Sequence, residues 1–160
     1  MMKKKIIATA LFNHANIKGT IELVENNKNV IINIDLKSNK YKKSTHGFHI
    51  HEAGDLSDNC MGACSHFNPY NTNHGGPNSI ERHVGDLGNI IFDKKGICKM
   101  TLNDKLVKLR GTKANVIGRS IVIHEDEDDL GLGGHVDSLK TGHAGSRITC
   151  AVIGYSKKMC

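Results

Sequence analysis

The chain has 160 residues, of which 38% are hydrophobic and 24% charged, with no Trp and a formal net charge of +6. That length suits one domain spanning residues 1–160, and with aromatics at only 4% its core must rest on Ile, Leu and Val. No apolar run approaches the ~20 residues that a membrane-spanning helix needs, so no membrane partner is expected.

Met1-Met2-Lys3-Lys4-Lys5 followed by Ile6 to Phe12 imitates a secretory signal only faintly. The apolar stretch is short and runs into Asn13-His14 without a small-residue cleavage site. Residues 4–12 are therefore read as a first strand, and cytoplasmic residence is expected. Short β-rich runs follow at 17–24, 29–36 and 47–51, punctuated by Asn26-Asn27 and Ser38-Asn39, at the spacing of an antiparallel sandwich or barrel. The irregular segment 52–82 is rich in Gly, Asn, Ser and His and holds Pro69 and Pro77. Loops of that length are commonly functional. Strands are expected again at 83–92, 97–102, 106–109, 119–124 and 147–155, with a turn at Asp93-Lys94-Lys95-Gly96 and a second long loop at 125–146. No stretch carries a helical period, so the chain reads as all-β with two long loops.

The charge is uneven. Residues 1–43 hold nine Lys against Glu22, Glu25 and Asp35, whereas the remainder is balanced. These lysines are scattered between apolar positions and lack an aromatic stacking platform, so they read as a solvated sheet face, with no nucleic-acid partner. The five cysteines, Cys60, Cys64, Cys98, Cys150 and Cys160, form no CxxC pair. In a cytosolic protein they would ordinarily be free thiols, and an odd count leaves at least one unpaired within the chain.

Ten histidines make the sharpest signal. His49 and His51 are two apart on a strand and leave the same face. His66, His74 and His83 punctuate the first long loop, Asp86 follows His83 by three, and His124 ends a strand. Three or four such ligands hold one d-block ion; imidazole suits copper and zinc, and a single carboxylate among histidines is compatible with tetrahedral zinc. His14, His46 and His135 read as surface histidines. Taken alone, the acidic run 126–129 reads as a solvated face and Arg147 as a surface charge.

The residues around the histidines carry a family resemblance. His46-Gly47-Phe48-His49-Ile50-His51-Glu52, His66-Phe67-Asn68-Pro69, His74-Gly75-Gly76-Pro77, Arg82-His83-Val84-Gly85-Asp86-Leu87-Gly88-Asn89, Val122-Ile123-His124-Glu125 and Gly145-Ser146-Arg147 resemble the motifs of copper/zinc superoxide dismutase of the intracellular eukaryotic-like type. The likeness is close over 46–92 and 117–154 and weaker but collinear elsewhere. It implies an eight-stranded antiparallel Greek-key β-barrel or sandwich, immunoglobulin-like, with two functional loops. It also implies an enzyme that converts superoxide to dioxygen and hydrogen peroxide, with one copper and one zinc per subunit.

Position by position, the resemblance makes His49, His51, His66 and His124 copper ligands, and His66, His74, His83 and Asp86 zinc ligands. His66 bridges the two ions and also serves in catalysis as a proton carrier. Asp128 would hydrogen-bond a histidine of each site. Arg147 would hold the anion, and Thr141 and Lys140 would line its channel. Cys60 and Cys150 would form the disulfide, leaving Cys64 a passive thiol and 159–160 an unstructured tail. Leu132 and Val136 depart from the usual lysine and acidic residue, which implies altered charge steering. Glu52, Gly54, Ile117-Gly118 and Ile153-Gly154 resemble a homodimer patch, though Ala53 and Tyr155 depart from it. A copper chaperone is a further implied partner. The alternative is a non-catalytic relative, a metal-binding or copper-chaperone domain on the same barrel.

Overall fold

Alternation of apolar and polar side chains builds the first sheet. In β1 (Ile7–Asn13), Ala8, Ala10 and Phe12 are buried, and in β2 (Ile17–Asn26) so are Ile17, Ile21 and Leu23. In β3 (Asn29–Ser38), Val30, Ile32, Ile34 and Leu36 point the same way. This period of two turns one face of each strand into core. The computed structural model describes residues 5–160. The signal-like start at 1–4, with Lys4 of the expected first strand, lies outside the described residues.

β3 pairs with β6 (Ile97–Asp104), and β1 with the two-residue β9 (Gly154–Tyr155), giving a five-stranded sheet in the order β6-β3-β2-β1-β9. The second sheet runs β5-β4-β7-β8, from β4 (Ser44–His51), β5 (Asp86–Phe92), β7 (Ser120–His124) and β8 (Arg147–Val152). All pairings are antiparallel. β3 meets β6 and β4 meets β7, each connection passing over two intervening strands, which gives the Greek-key sandwich that the resemblance implies. Phe48, Ile50, Phe92, Ile121 and Ile123 meet the first sheet's apolar face in one shared core. Truncating such a side chain to alanine costs about 2–5 kcal/mol.

The two long loops, 52–85 and 125–146, leave adjacent strands of the second sheet and cover its outer face. Cys60 and Cys150 form a disulfide across 90 residues, with Cα atoms 6.0 Å apart, tying the first loop to β8. Among the described residues no helix is long and apolar enough to cross a membrane.

Four expectations need correction. Residues 106–109 are not a strand: Asp104 Oδ1 accepts both the Leu106 and Val107 amides at 2.8 Å, closing a turn that leaves only an isolated bridge at Lys108. The run 147–155 breaks at buried Ile153, where the chain crosses from one sheet to the other. A one-turn helix, α1 (Ser138–Thr141), sits in the second loop and is too short to show a period in sequence. The tail is ordered, since Lys157–Met159 form a 3-10 turn capped by Ser156.

Candidate metal centre

β4 aims His49 and His51 outward, away from Phe48 and Ile50 in the core, and the loops bring the other histidines to meet them. Each of four imidazoles is held at one nitrogen and turns the other toward its neighbours in the cluster. His49 Nε2 donates to Asp128 Oδ2 at 2.7 Å and His74 Nε2 to Asp128 Oδ1 at 2.8 Å. His51 Nδ1 donates to the Cys64 carbonyl at 2.8 Å and His124 Nδ1 to the Gly145 carbonyl at 3.2 Å. The remaining atoms converge in two groups, His49/His51/His66/His124 and His66/His74/His83/Asp86, with the donor atoms of each group within 4.8 Å of one another.

In the second group the Nδ1 atoms of His66, His74 and His83 lie 2.9, 2.9 and 3.0 Å from Asp86 Oδ1. A tetrahedron with zinc–nitrogen bonds of ordinary length has edges of about 3.3 Å, so these four atoms match the corners of such a site. In the first group His51 Nε2 and His124 Nε2 stand 3.2 Å apart. Buried His49 Nδ1 and His66 Nε2 have no hydrogen-bond partner among the described residues. An unpaired buried imidazole nitrogen is costly unless an ion takes its lone pair. His66 belongs to both groups, offering one nitrogen to each.

Electrostatics prepares the donors. Burial lowers the pKa values of His49, His51, His66 and His124, that of His51 to about 2 and that of His124 to about 4. They are therefore neutral bases with available lone pairs. Burial also opposes charge on His74, but the carboxylates of Asp128 and Asp86 outweigh it and raise its pKa to about 9. Burial would raise Asp86 too, yet its three histidine neighbours hold it well below the carboxylate range. Gly142, at φ 67°, closes the second loop where a Cβ would come within 1.9 Å of Asp128 Oδ1 and 2.5 Å of His74 Nε2.

A groove of about 1080 Å³ exposes the edges of His51, His66 and His124 and is walled by Lys140, Thr141 and Arg147. Arg147 Nη1 donates to the Cys60 carbonyl at 2.5 Å and Nη2 to the Cys64 carbonyl at 2.6 Å, so the disulfide-tied loop sets the guanidinium in place.

A family model described as copper/zinc superoxide dismutase (SODC) matches residues 17–153. The chain belongs to the copper/zinc superoxide dismutase family. A Cu-Zn superoxide dismutase of Paramecium bursaria Chlorella virus 1 is 58% identical over 89% of this chain and 75% of its own. One of Yarrowia lipolytica is 48% identical over 88% and 91%, and an extracellular one of Drosophila melanogaster 44% over 93% and 82%. A crystal structure titled as the clock protein EA4 superposes with a TM-score of 0.91 at 39% identity, covering 98% of each chain.

The fold brings together every residue the family motifs single out, with Lys140 and Thr141 exposed on α1 at the groove's rim. His46, read as a surface histidine, is instead buried at 3% exposure. Its ring bonds the His124 carbonyl and Ser44 Oγ, both at 2.9 Å, and packs edge-on against Tyr41 and Phe92. Strand alternation was the available signal, since His46 shares its face with Phe48 and Ile50. Asn89 was also missed; it clamps the Asp128 backbone from both sides, at 2.9 and 2.8 Å.

Cys64 is a free, exposed thiol held at φ 63°, ψ −147°, a region that side chains other than glycine's enter only under strain. Its carbonyl, shared by His51 and Arg147, fixes that conformation. Cys64→Gly should relieve strain beyond the entropy that glycine adds to the unfolded chain and raise the unfolding free energy by about 1 kcal/mol. Urea unfolding checks this, and an unchanged midpoint would contradict it.

Proposed function

We propose that the chain dismutates superoxide at this groove, with His49, His51, His66 and His124 holding copper and His66, His74, His83 and Asp86 holding zinc. The observation that carries the reading is the pair of orphaned buried nitrogens, His49 Nδ1 and His66 Nε2, both aimed into the first donor group. Bound copper has the two oxidation states needed to take an electron from one superoxide and give it to another, while zinc has one and keeps a structural place.

The chain's own residues supply the rest. Arg147, braced by two carbonyls, offers a fixed cation to the anion at the groove's inner end. His66 Nε2 is the atom that takes a proton and returns it to the departing peroxide, while its other nitrogen stays against Asp86. Asp128 holds His49 and His74 by their far nitrogens and so keeps the copper and zinc sets in one orientation. Lys140 adds positive potential at the rim, but Glu52 and Asp137 line the same groove, and exposed Leu132 and Val136 add no charge to it. Steering is therefore modest. The non-catalytic alternative has no use for Arg147 anchored beside an open donor group.

Metal analysis combined with a superoxide assay tests the reading. Wild-type protein loaded with both metals should be active, and His51→Ala should lose copper and nearly all activity. Inactive wild type holding both metals would defeat it. The same assay on Lys140→Ala should show a shallower fall of rate with salt than the parent.

Residence in the cytoplasm is proposed on the exposed free thiols of Cys64 and Cys160, with the Cys60–Cys150 disulfide a departure from what a reducing compartment ordinarily allows. A homodimer is proposed through the open surface at Gly118 and Gly154, flanked by Val152 and Tyr155, which are 38% and 61% exposed. Light scattering at micromolar concentration should give twice the chain mass, and a monomer mass would refute it.

A further inference from the structure

The net charge of +6 is not spent on the catalytic groove, whose charged lining, Glu52 and Asp137 against Lys140 and Arg147, is balanced. Much of it gathers at one pole of the sandwich. There the β1–β2 turn, the β3–β4 connection and the β5–β6 turn are stitched together: Asn39 N–H donates to the Asn16 carbonyl at 3.3 Å, Ser38 N–H to Gly96 at 2.7 Å and Lys43 N–H to Asp93 at 3.0 Å. The β3–β4 connection brings exposed Lys40, Lys42 and Lys43, and the β5–β6 turn adds exposed Lys94 and Lys95. Those last two come from the part of the sequence that is neutral overall, so only the folded chain assembles the patch.

The register adds a second observation. Lys18 and Lys37 are direct antiparallel partners, both exposed, beside these turns. Like charges opposite each other destabilise a strand pair, and the cost is relieved when an anion lies across them. None of these seven lysines forms an ion pair among the described residues. Three acids lie near the seven lysines, Asp93 in the β5–β6 turn, Glu125 on the Tyr41 hydroxyl and Asp35, which faces Lys99 at 3.7 Å, and they leave the patch with an excess of positive charge.

We propose that this lysine pole is a docking surface for the phosphate backbone of nucleic acid, bound without regard to sequence. No large apolar side chain is exposed on the three turns, so they offer nothing to insert among lipid tails, and no exposed aromatic stands ready to stack on bases. What remains is cationic side chains with Asn16 and Asn39 between them, the chemistry of backbone contact rather than base readout.

The test is binding of the full-length, metal-loaded protein to a mixed-sequence duplex of about 25 bp across a salt series. With about five phosphates neutralised, log K should fall against log salt with a slope of about −4 to −5. The triple variant Lys42→Glu, Lys94→Glu, Lys95→Glu should bind about 100-fold more weakly at low salt and keep parental metal content and dismutase rate, which shows that it is folded. Absence of duplex binding at low salt, or equal binding by parent and folded variant, overturns the proposal. So does stronger binding to phosphatidylserine–phosphatidylcholine vesicles than to the duplex, which would assign the pole to membranes.

Discussion

Asp128→Ala is expected to weaken zinc binding by about 10–100-fold and to loosen copper as well. The carboxylate is fully buried, and each oxygen meets a different histidine, Oδ2 His49 and Oδ1 His74. With both rings offering Nδ1 to an ion, both Nε2 atoms carry hydrogen, and two acceptors are required between them. Asn at this position supplies one acceptor and one donor, so Asp128→Asn should recover only part of the loss. Competition with a chelator, read separately for each metal, measures both effects. Parental zinc affinity in the alanine variant would show that the loop, not the carboxylate, orients the rings.

The second large effect belongs to the disulfide. Cys150→Ser releases a loop closed across 90 residues, worth about 4–5 kcal/mol in the chain-entropy account. The consequence reaches the groove, because the Cys60 and Cys64 carbonyls that hold Arg147 belong to the segment set free. Activity per bound copper should fall by about tenfold or more once the guanidinium loses its fixed place. Urea unfolding and a superoxide assay normalised to copper content measure the two losses. A stable variant with parental activity would show that the loop is held by its own packing.

The two donor groups of the candidate metal centre were legible in the sequence because their residues sit in long local motifs, and metal chemistry narrows what histidines at such spacing can do. The strands were legible wherever one face meets the core. Residues 106–109 misled because Val107 and Leu109 alternate into the core as a strand's would, while Asp104 diverts the backbone donors. The role of Asp104 is itself non-local. Its other oxygen meets Arg82 in a buried pair, and Arg82 also donates to the Asp86 carbonyl at 2.6 Å. That link joins the 104–109 turn to the zinc-side loop, and no spacing of residues announces it. The lysine pole was illegible for the same reason: its parts lie tens of residues apart, and only hydrogen bonds between turns make them neighbours.

The pairing of Ala8 with Tyr155 also bears on how the protein is made. One side of β1 has no partner until residues 154–155 have left the ribosome, and Arg147 and Cys150 emerge just before them. A chain that has not yet reached them carries an open strand edge and a groove without Arg147, a state prone to joining other chains edge to edge. Closure of the sheet, formation of the disulfide and seating of Arg147 therefore all wait on the segment 147–155.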